Sequence, residues 1–448
     1  MENKIIENEP ICALATAQGV GAIAVIRVSG EKCIELVDRI FKGKKLTNVA
    51  SHTVHFGLIM EGEKLVDEVL ATVFKNPKSF TKEDSVEISC HGSSYIIGSI
   101  LKLLVANGCK IAKPGEFTQR AFANGQFDLI QAEAVADLIA ADSAAAHKAA
   151  MHQMRGGFSK KLAELREDLI HFASMIELEL DFGEEDVEFA DRDDLRKLIY
   201  DINKQLLPLI SSFDEGNVIK EGVPVAIIGT PNAGKSTLLN AFLNEDKAIV
   251  SDIAGTTRDT IEDILIVGGR KFRFIDTAGI RKTEDTVENI GIDRSRKAID
   301  KSEIVIVLYE NEKDKSYLLE NFEAAFNNKK LLFVRNKIDV DNYQAQEGEI
   351  GISAKEGTNV EHLLEKLTSL YSLEQSGDIV VTNLRHYEHL IKTNEALEEV
   401  LTGLDNGVTG DFLAQDIRLS LHHLGEITGT ITTDDLLKNI FGKFCIGK

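Results

Sequence analysis

The sequence predicts a multidomain chain of mixed α/β and α class. An N-terminal α+β module comes first, followed by a discontinuous helical domain with a doubly wound α/β sheet inserted between its halves. Three observations predict this. The 448 residues suit roughly three domains of ~150 residues. The hydrophobic period changes along the chain from strand-like to helical, to alternating, and back to helical. Charge shifts at the same places. Residues 1–118 hold 14 basic and 14 acidic side chains, residues 119–216 hold 10 and 20, and residues 378–448 hold 6 and 11.

Within 1–118, Ala22–Val28, Thr53–Ile59, Leu65–Phe74 and Val86–Ser89 are strand-length runs rich in Val, Ile and Phe. Ile96–Ala106 has helical spacing and stops at Asn107-Gly108. Within 119–216, Gln131–Leu180 has apolar side chains three and four apart, which predicts long helices with Gly156-Gly157 as the one strong breaker. Its part Ala132–Ala150 reads as a single Ala-rich packing helix. Asp181–Asp194 carries eight acids against Arg192 alone and reads as a solvated loop. Helix resumes over Leu195–Ser211. Within 217–377, the apolar runs Val223–Ile228, Ile264–Val267, Phe272–Ile275, Ile304–Leu308 and Leu331–Val334 are spaced by helical stretches, as in a sheet covered on both faces. Residues 378–448 return to helix. The simplest architecture is one domain inserted into another, which close-lying domain termini permit.

A net charge of −21 disfavours a whole-surface nucleic-acid binder, which would be basic. Any RNA contact needs a local patch or a partner. No apolar stretch reaches the ~18 residues of a membrane span, and Met1–Pro10 lacks the apolar core of a signal peptide. Cys12, Cys33, Cys90, Cys109 and Cys445 are odd in number and widely spaced, so neither a zinc cage nor a disulfide framework is expected. The expected location is the reducing cytoplasm. His52 and His55, on an expected strand, point to opposite faces at a spacing of three, and Cys90-His91 completes no metal site with them. His422-His423 reads as a cap or a solvent-facing pair.

Gly229–Ser236 (GTPNAGKS) follows a predicted strand and opens a predicted helix, the context that a phosphate-cradling loop requires. Backbone N–H groups of Asn232, Ala233 and Gly234 and the start of the predicted helix Ser236–Leu243, with Thr237 in its first turn, face negative charge. Lys235 reaches the β- and γ-phosphates, and the Ser236 hydroxyl binds Mg²⁺. Asp276, Thr277, Ala278 and Gly279 (DTAG) follow another strand; Asp276 can hold the metal through water, and the Gly279 N–H can sense a γ-phosphate. Asn336, Lys337 and Asp339 (NKID) follow a third. The Asp339 carboxylate can accept two hydrogens from guanine. Adenine lacks the 2-amino donor and would leave that acceptor unpaired. Asn336 can bind the base edge or tie loops together. In Ser353, Ala354 and Lys355 (SAK), the Ala354 N–H can donate to guanine O6. Four motifs in this order select GTP over ATP and exclude an ATP-using kinase.

Many GTPases place Gln directly after DTAG to orient the attacking water. Ile280 stands there and cannot. Glu284, Asp285 and Glu288 are the nearby acids. Ser251–Asp259 occupies the switch I position, with Thr256 and Thr257 as candidate Mg²⁺ ligands. Arg258 is a candidate positive finger or a structural salt-bridge partner. The chain closes with Cys445, Ile446, Gly447 and Lys448 (CIGK), a poor prenylation box. It reads as a flexible tail that delivers a thiol or a terminal lysine to a site.

Taken together, Ser79–Thr81 with Glu83-Asp84, Pro114–Phe117, Asp128-Leu129, Gln131–Ala134, Pro231–Ser236, Gly255–Asp259 and Cys445–Lys448 resemble the MnmE-type (TrmE-type) tRNA modification GTPases over the whole chain. The resemblance implies an N-terminal folate-binding-like dimerisation domain over 1–118. It implies a helical domain in two halves, 119–216 and 378–448, and a Ras-like P-loop GTPase domain over 217–377. It implies GTP hydrolysis and a homodimer. It also implies an FAD-dependent partner that completes a heterotetramer, with FAD on that partner only. The implied product is an aminomethyl or carboxymethylaminomethyl group on C5 of the wobble uridine of tRNA. A tetrahydrofolate derivative, in its 5,10-methylene or 5-formyl form, supplies one carbon.

By matching position the resemblance puts Asn232, Ser251, Ile253 and Thr256 around K⁺, Ser236 and Thr257 on Mg²⁺, and Glu288 on the attacking water. It puts Arg27, Glu87, Lys448 and the position of Gln126 at the folate, and makes Cys445 essential. Three positions depart from the pattern: Gln126 stands where Lys is frequent, Lys82 where Gly is usual, and Ser93 where a second Gly is usual. A GTP-gated scaffold for RNA or ribosome assembly is the competing reading; it gives the CIGK end no role.

Overall fold

The computed structural model describes residues 9–181, 192–244, 249–250, 262–275, 288–340, 346–370 and 379–447. Two compact units result. One comprises Met1–Ala136, Gln153–Phe189 and Val408–Lys448; the other comprises Asp137–His152 and Ala190–Gly407.

The first unit opens with β1 (Ile11–Leu14), β2 (Gly21–Ser29), α1 (Cys33–Ile40), β3 (Phe41–Gly43), β4 (Thr53–Glu61), β5 (Lys64–Phe74), β6 (Ser85–Gly92), α2 (Ser94–Ala106) and β7 (Lys110–Ile111). These strands make a seven-stranded sheet in the order β3-β4-β5-β6-β2-β1-β7. Alternation along each strand separates its faces. Ile26, Val28, Val73, Val86 and Ile88 point into a core shared with Val37 of α1 and Ile100 of α2. Ile23, Val54, Phe56 and Leu70 are exposed, Phe56 at 63%. Phe56 and Leu70 are cross-strand partners. Arg27 and Glu87 are partners in the β2–β6 register. The five cysteines are free thiols, and only Cys445 is exposed.

The chain continues through α3 (Glu116–Ala123), α4 (Leu129–Ala140), α5 (Ala144–Met154), α6 (Gly157–Asp181) and α7 (Arg192–Glu221). The single helix expected over Ala132–Ala150 is broken. Ala141-Asp142-Ser143 separates α4 from α5, because the Ser143 hydroxyl accepts the Ala146 N–H at 3.2 Å and starts a new helix. Helix α7 outruns the expected Leu195–Ser211 and passes through Pro208. Most of the acidic run Asp181–Asp194 lies outside the described residues. His52 stands before β4 with φ 63° rather than on the strand, bonding Ser51, while His55 bonds Thr53.

The second sheet uses β8 (Val223–Gly229), then helix α8 (Lys235–Asn244), β9 (Ile249–Val250), β10 (Asp263–Val267), β11 (Arg270–Phe274), α9 (Glu288–Lys301), β12 (Ile304–Tyr309), α10 (Glu312–Phe322), β13 (Lys330–Arg335), β14 (Glu349–Gly351) and α11 (Val360–Ser369). Its order is β14-β13-β12-β8-β11-β10-β9. Neighbours from β14 to β11 are parallel; β10 and β9 are antiparallel additions at one edge. Every residue of β12 is buried. Ile304, Ile306 and Leu308 pack with α8 and α11, and Val305, Val307 and Tyr309 pack with α10. That two-sided cover is why the strand reads as an unbroken apolar run. Gly268 and Gly269 both have positive φ, as a two-residue turn between β10 and β11 needs.

The last helices are α12 (Leu384–Asp405), α13 (Gly410–Thr428) and α14 (Asp434–Phe441). Helix α12 packs on α7 in the second unit, and α13 packs on α6 in the first. His422 and His423 lie inside α13, each within reach of Glu426, so neither caps a helix. Among the described residues no helix is long and apolar enough to cross a membrane.

Candidate functional site

The parallel strands β8, β12 and β13 deliver their carboxyl ends to one edge of the second sheet, where open α/β sheets bind ligands. Gly229 ends β8 beside Leu308, whose carbonyl leaves no room for a Cβ. The next turn needs two left-handed residues, Asn232 (φ 65°) and Gly234 (φ 94°). At Gly234 a side chain would also strike the Asn336 amide. Asn232 and Thr237 are exposed and Ala233 is buried. The Lys235 ammonium donates to the carbonyls of Gly229 at 2.8 Å and Thr230 at 3.0 Å. Burial pushes its pKa below the ordinary 10.5. A part-buried cation that donates to carbonyls at the start of a helix is a fitted receptor for phosphate.

Asn336 is 3% exposed. Its Nδ2 donates to the Ala233 carbonyl at 2.8 Å, and its Oδ1 accepts the Ala354 N–H at 3.0 Å. Of the two roles open to it from sequence, the geometry shows loop-tying. The Ala354 N–H, expected at guanine O6, is engaged by Asn336 here. A buried N–H requires an acceptor, and this amide is the one in reach. Lys337 has φ 63° and pairs with Glu310. A hydrogen bond from the Ser353 hydroxyl holds the Asp339 carboxyl below its usual range, so it stays an acceptor at neutral pH. Lys355 is exposed and lies 3.6 Å from Glu356. Ser236 makes an interaction of its own.

Ser251, Ile253, Thr256, Thr257, Asp276, Thr277, Ala278, Gly279 and Lys448 lie outside the described residues, as do Gly255, Arg258, Ile280, Glu284 and Asp285. Glu288 is described only as the first backbone position of α9.

A second constellation lies on the first sheet. Arg27 donates from Nε to Glu87 Oε1 at 3.0 Å, with Nη2 at 2.9 Å from the same oxygen. Its guanidinium stands 5.3 Å from the Phe80 ring and 5.7 Å from the Phe117 ring. Gln126 is exposed. Lys82 reaches the Gly125 carbonyl at 2.6 Å, one residue from Gln126, so a cation does stand beside that position.

The sequence reading missed Arg120. It is buried on α3 and holds Glu116 at 3.0 Å, Glu83 at 3.4 Å and the Glu9 carbonyl at 2.9 Å. Its one sequence signal was the Glu116 carboxylate four residues earlier on a helix.

The chain's end is anchored, not loose. The Gly115 N–H donates to the Cys445 carbonyl at 3.3 Å. Phe441 packs against Phe122 and Phe444. Gly447 is buried with φ 94° against the Leu14 carbonyl. The expectation of a flexible tail gives way to a tail fixed by backbone contacts, with the Cys445 thiol left exposed. Gly115 lies two residues before Phe117, under Arg27, so the tail and the Arg27–Glu87 pair share one scaffold.

Known proteins match along this whole length. Residues 129–445 match the model of the MnmE helical domain, and residues 10–126 match that of the GTP-binding protein TrmE N-terminus. A tRNA modification GTPase MnmE of Cytophaga hutchinsonii is 56% identical over 98% of this chain and 98% of its own. The chain belongs to the MnmE family. A Bacteroides fragilis protein of the same name is 51% identical over 99% of this chain and 100% of its own. One from Christiangramia forsetii is 50% identical over 98% and 99%. MnmE membership therefore spans the amino-terminal sheet, the second sheet and the anchored tail together.

Proposed function

We propose that this chain is a GTP hydrolase acting in tRNA modification. The observation that carries its nucleotide half is the Asn336 amide; its tRNA half rests on membership of the MnmE family. The amide joins the loop around Lys235 to the loop around Asp339, so phosphate and guanine recognition form one rigid set. The chain's own residues then have defined tasks. Lys235 neutralises phosphate charge. Ser236 supplies a hydroxyl to Mg²⁺, which polarises the phosphates when bound. Asp339 accepts from the guanine edge. Glu288 orients water where Ile280 cannot, and Asn232, Ser251, Ile253, Thr256 and Thr257 complete the K⁺ and Mg²⁺ shells.

The Arg27–Glu87 pair with Phe80 and Phe117 fits a flat, hydrogen-bonding heterocycle such as a tetrahydrofolate derivative. Lys448 and the position of Gln126 complete that site, and the exposed Cys445 is the essential thiol of the same tail. The apolar face of Ile23, Val54, Phe56 and Leu70 suits a second copy of the chain. An FAD-dependent partner and wobble-uridine tRNA complete the reaction, in the cytoplasm. Residues 1–118, 119–216, 217–377 and 378–448 remain the proposed domains.

Two measurements test this. GTP hydrolysis runs faster in KCl than in NaCl at matched ionic strength; equal rates remove the potassium mechanism. Nucleoside mass spectrometry of tRNA from cells carrying Cys445→Ser shows loss of the wobble-uridine modification, while the purified variant keeps its GTPase rate. Unchanged tRNA in those cells favours a GTP-gated scaffold.

A further inference from the structure

The break between α4 and α5 lies against the strands that border the nucleotide motifs. A cavity of about 240 Å³ opens there, lined by Asp137 of α4, Asp142 within the break, Lys220 at the end of α7, Lys271 of β11, Ala149 of α5 and Ile264 of β10. Two ion pairs cross it. Lys220 meets Asp137 at 2.8 Å, and Lys271 meets Asp142 at 2.8 Å with 13% and 14% of those side chains exposed. Lys271 also donates to the Lys220 carbonyl at 3.4 Å, and its stem packs on Gly222. One lysine thus joins β11, the end of α7 and the segment before α5.

Close-packed interfaces resist displacement, because every shift costs van der Waals contact. This one is held by charges around a void walled partly by alanine, so a small slide costs little packing. The mostly buried Lys271–Asp142 pair resists separation, because either charge left alone would be buried unpaired. Lys271 sits on the strand that runs directly into the DTAG segment, and β10 follows the switch I segment.

We infer that the α4–α5 break is a mechanical joint. Displacement of β11 on exchange of GDP for GTP is passed through Lys271–Asp142 to helix α5, with Lys220–Asp137 as the second pin. The inference rests on the nucleotide reading above.

The test is hydrogen–deuterium exchange of the full-length chain, read at the α5 amides, with GDP or a non-hydrolysable GTP analogue in Mg²⁺ and KCl. Binding of a fluorescent guanine nucleotide is measured on the same samples. The wild type should change α5 exchange by about fivefold between the two nucleotides, the lower end of typical site-to-site coupling. Asp142→Lys should bind nucleotide but lose that difference, and Asp142→Lys with Lys271→Asp should restore it. Ala149→Leu, which fills the void and leaves both ion pairs, should shrink the difference and serves if the charge variants do not fold. Equal α5 exchange in the wild type despite bound nucleotide overturns the joint alone. So does a difference that survives in Asp142→Lys. A wild type that binds no guanine nucleotide overturns the nucleotide reading and the joint with it.

Discussion

Lys235 and Arg27 are both part-buried cations beside a seven-stranded sheet, Lys235 at the start of α8 and Arg27 on β2, yet they are held in opposite ways. Among the described residues, Lys235 has only the carbonyls of Gly229 and Thr230 as partners. Arg27 is already neutralised by Glu87 and stacked by Phe80 and Phe117. Among the described residues, the first arrangement sets carbonyls and no carboxylate beside a part-buried positive charge, so it favours an incoming anion. The second carries no net charge, so it selects by shape and hydrogen-bond pattern. The difference teaches that the same kind of residue can be prepared, on the proposed reading, for a polyanion in one place and for a nearly neutral ring system in another. What changes, among the described residues, is whether a carboxylate has been built in beside it.

The largest effect that would break this comparison is expected from Lys235→Ala. It removes the cation that has only carbonyl partners among the described residues, and GTP hydrolysis should fall by about 100-fold or more in a steady-state phosphate-release assay. A mild loss would mean that the lysine is structural. Asn336→Ala comes next. It strands the Ala233 carbonyl and the Ala354 N–H, each costing about 1–3 kcal/mol when buried without a partner. Urea unfolding should show the loss, and guanine affinity should fall with it; unchanged stability would mean that water replaces the amide.

Glu87→Gln should separate the two sites further. It leaves Arg27 charged, so calorimetry should find weaker folate binding and new, salt-sensitive binding of simple polyanions. Lys82→Gly should give the smallest change, a roughly twofold to fivefold loss of folate affinity, in line with one exposed charge contact. No loss would show that Lys82 does not stand in for the charge that Gln126 lacks.

Acidity sharpens the contrast at Lys235 alone. Burial lowers its pKa in the empty protein, whereas bound phosphate favours the charged form. Nucleotide affinity should therefore decline as pH rises through the lowered value, earlier than for a lysine at the ordinary 10.5. Between those two values the unfolded chain binds more protons than the native one, so the empty protein should gain stability over the same window. Nucleotide titrations and denaturant melts at matched pH should move in opposite directions; parallel movement would assign the effect to another group.

Much of this was legible in the residues. Runs such as Ile304–Leu308 specify strands covered on both sides, and the spacing of GTPNAGKS places a loop between strand and helix. What was not legible depends on distant partners. Arg27 and Glu87 meet only through the β2–β6 register, which neither segment encodes alone. Asn336 could satisfy a ligand or a loop, and only the approach of Ala233 and Ala354 decides between them. The run Ala132–Ala150 hides its break because alanine suits a helix so well that the run reads as one helix, although serine is a frequent helix starter. Helix α7 continues past Ser211 because Ser212 and Gly216 meet the Val381 backbone, a contact formed across a long stretch of chain.

The amide of Asn336 also ties the upkeep of the fold to the upkeep of the site. It is 3% exposed and joins the Ala233 carbonyl to the Ala354 N–H. Whatever loosens that link should lower the melting point and the grip on nucleotide together. A melting curve of this chain therefore doubles as an inspection of its pocket.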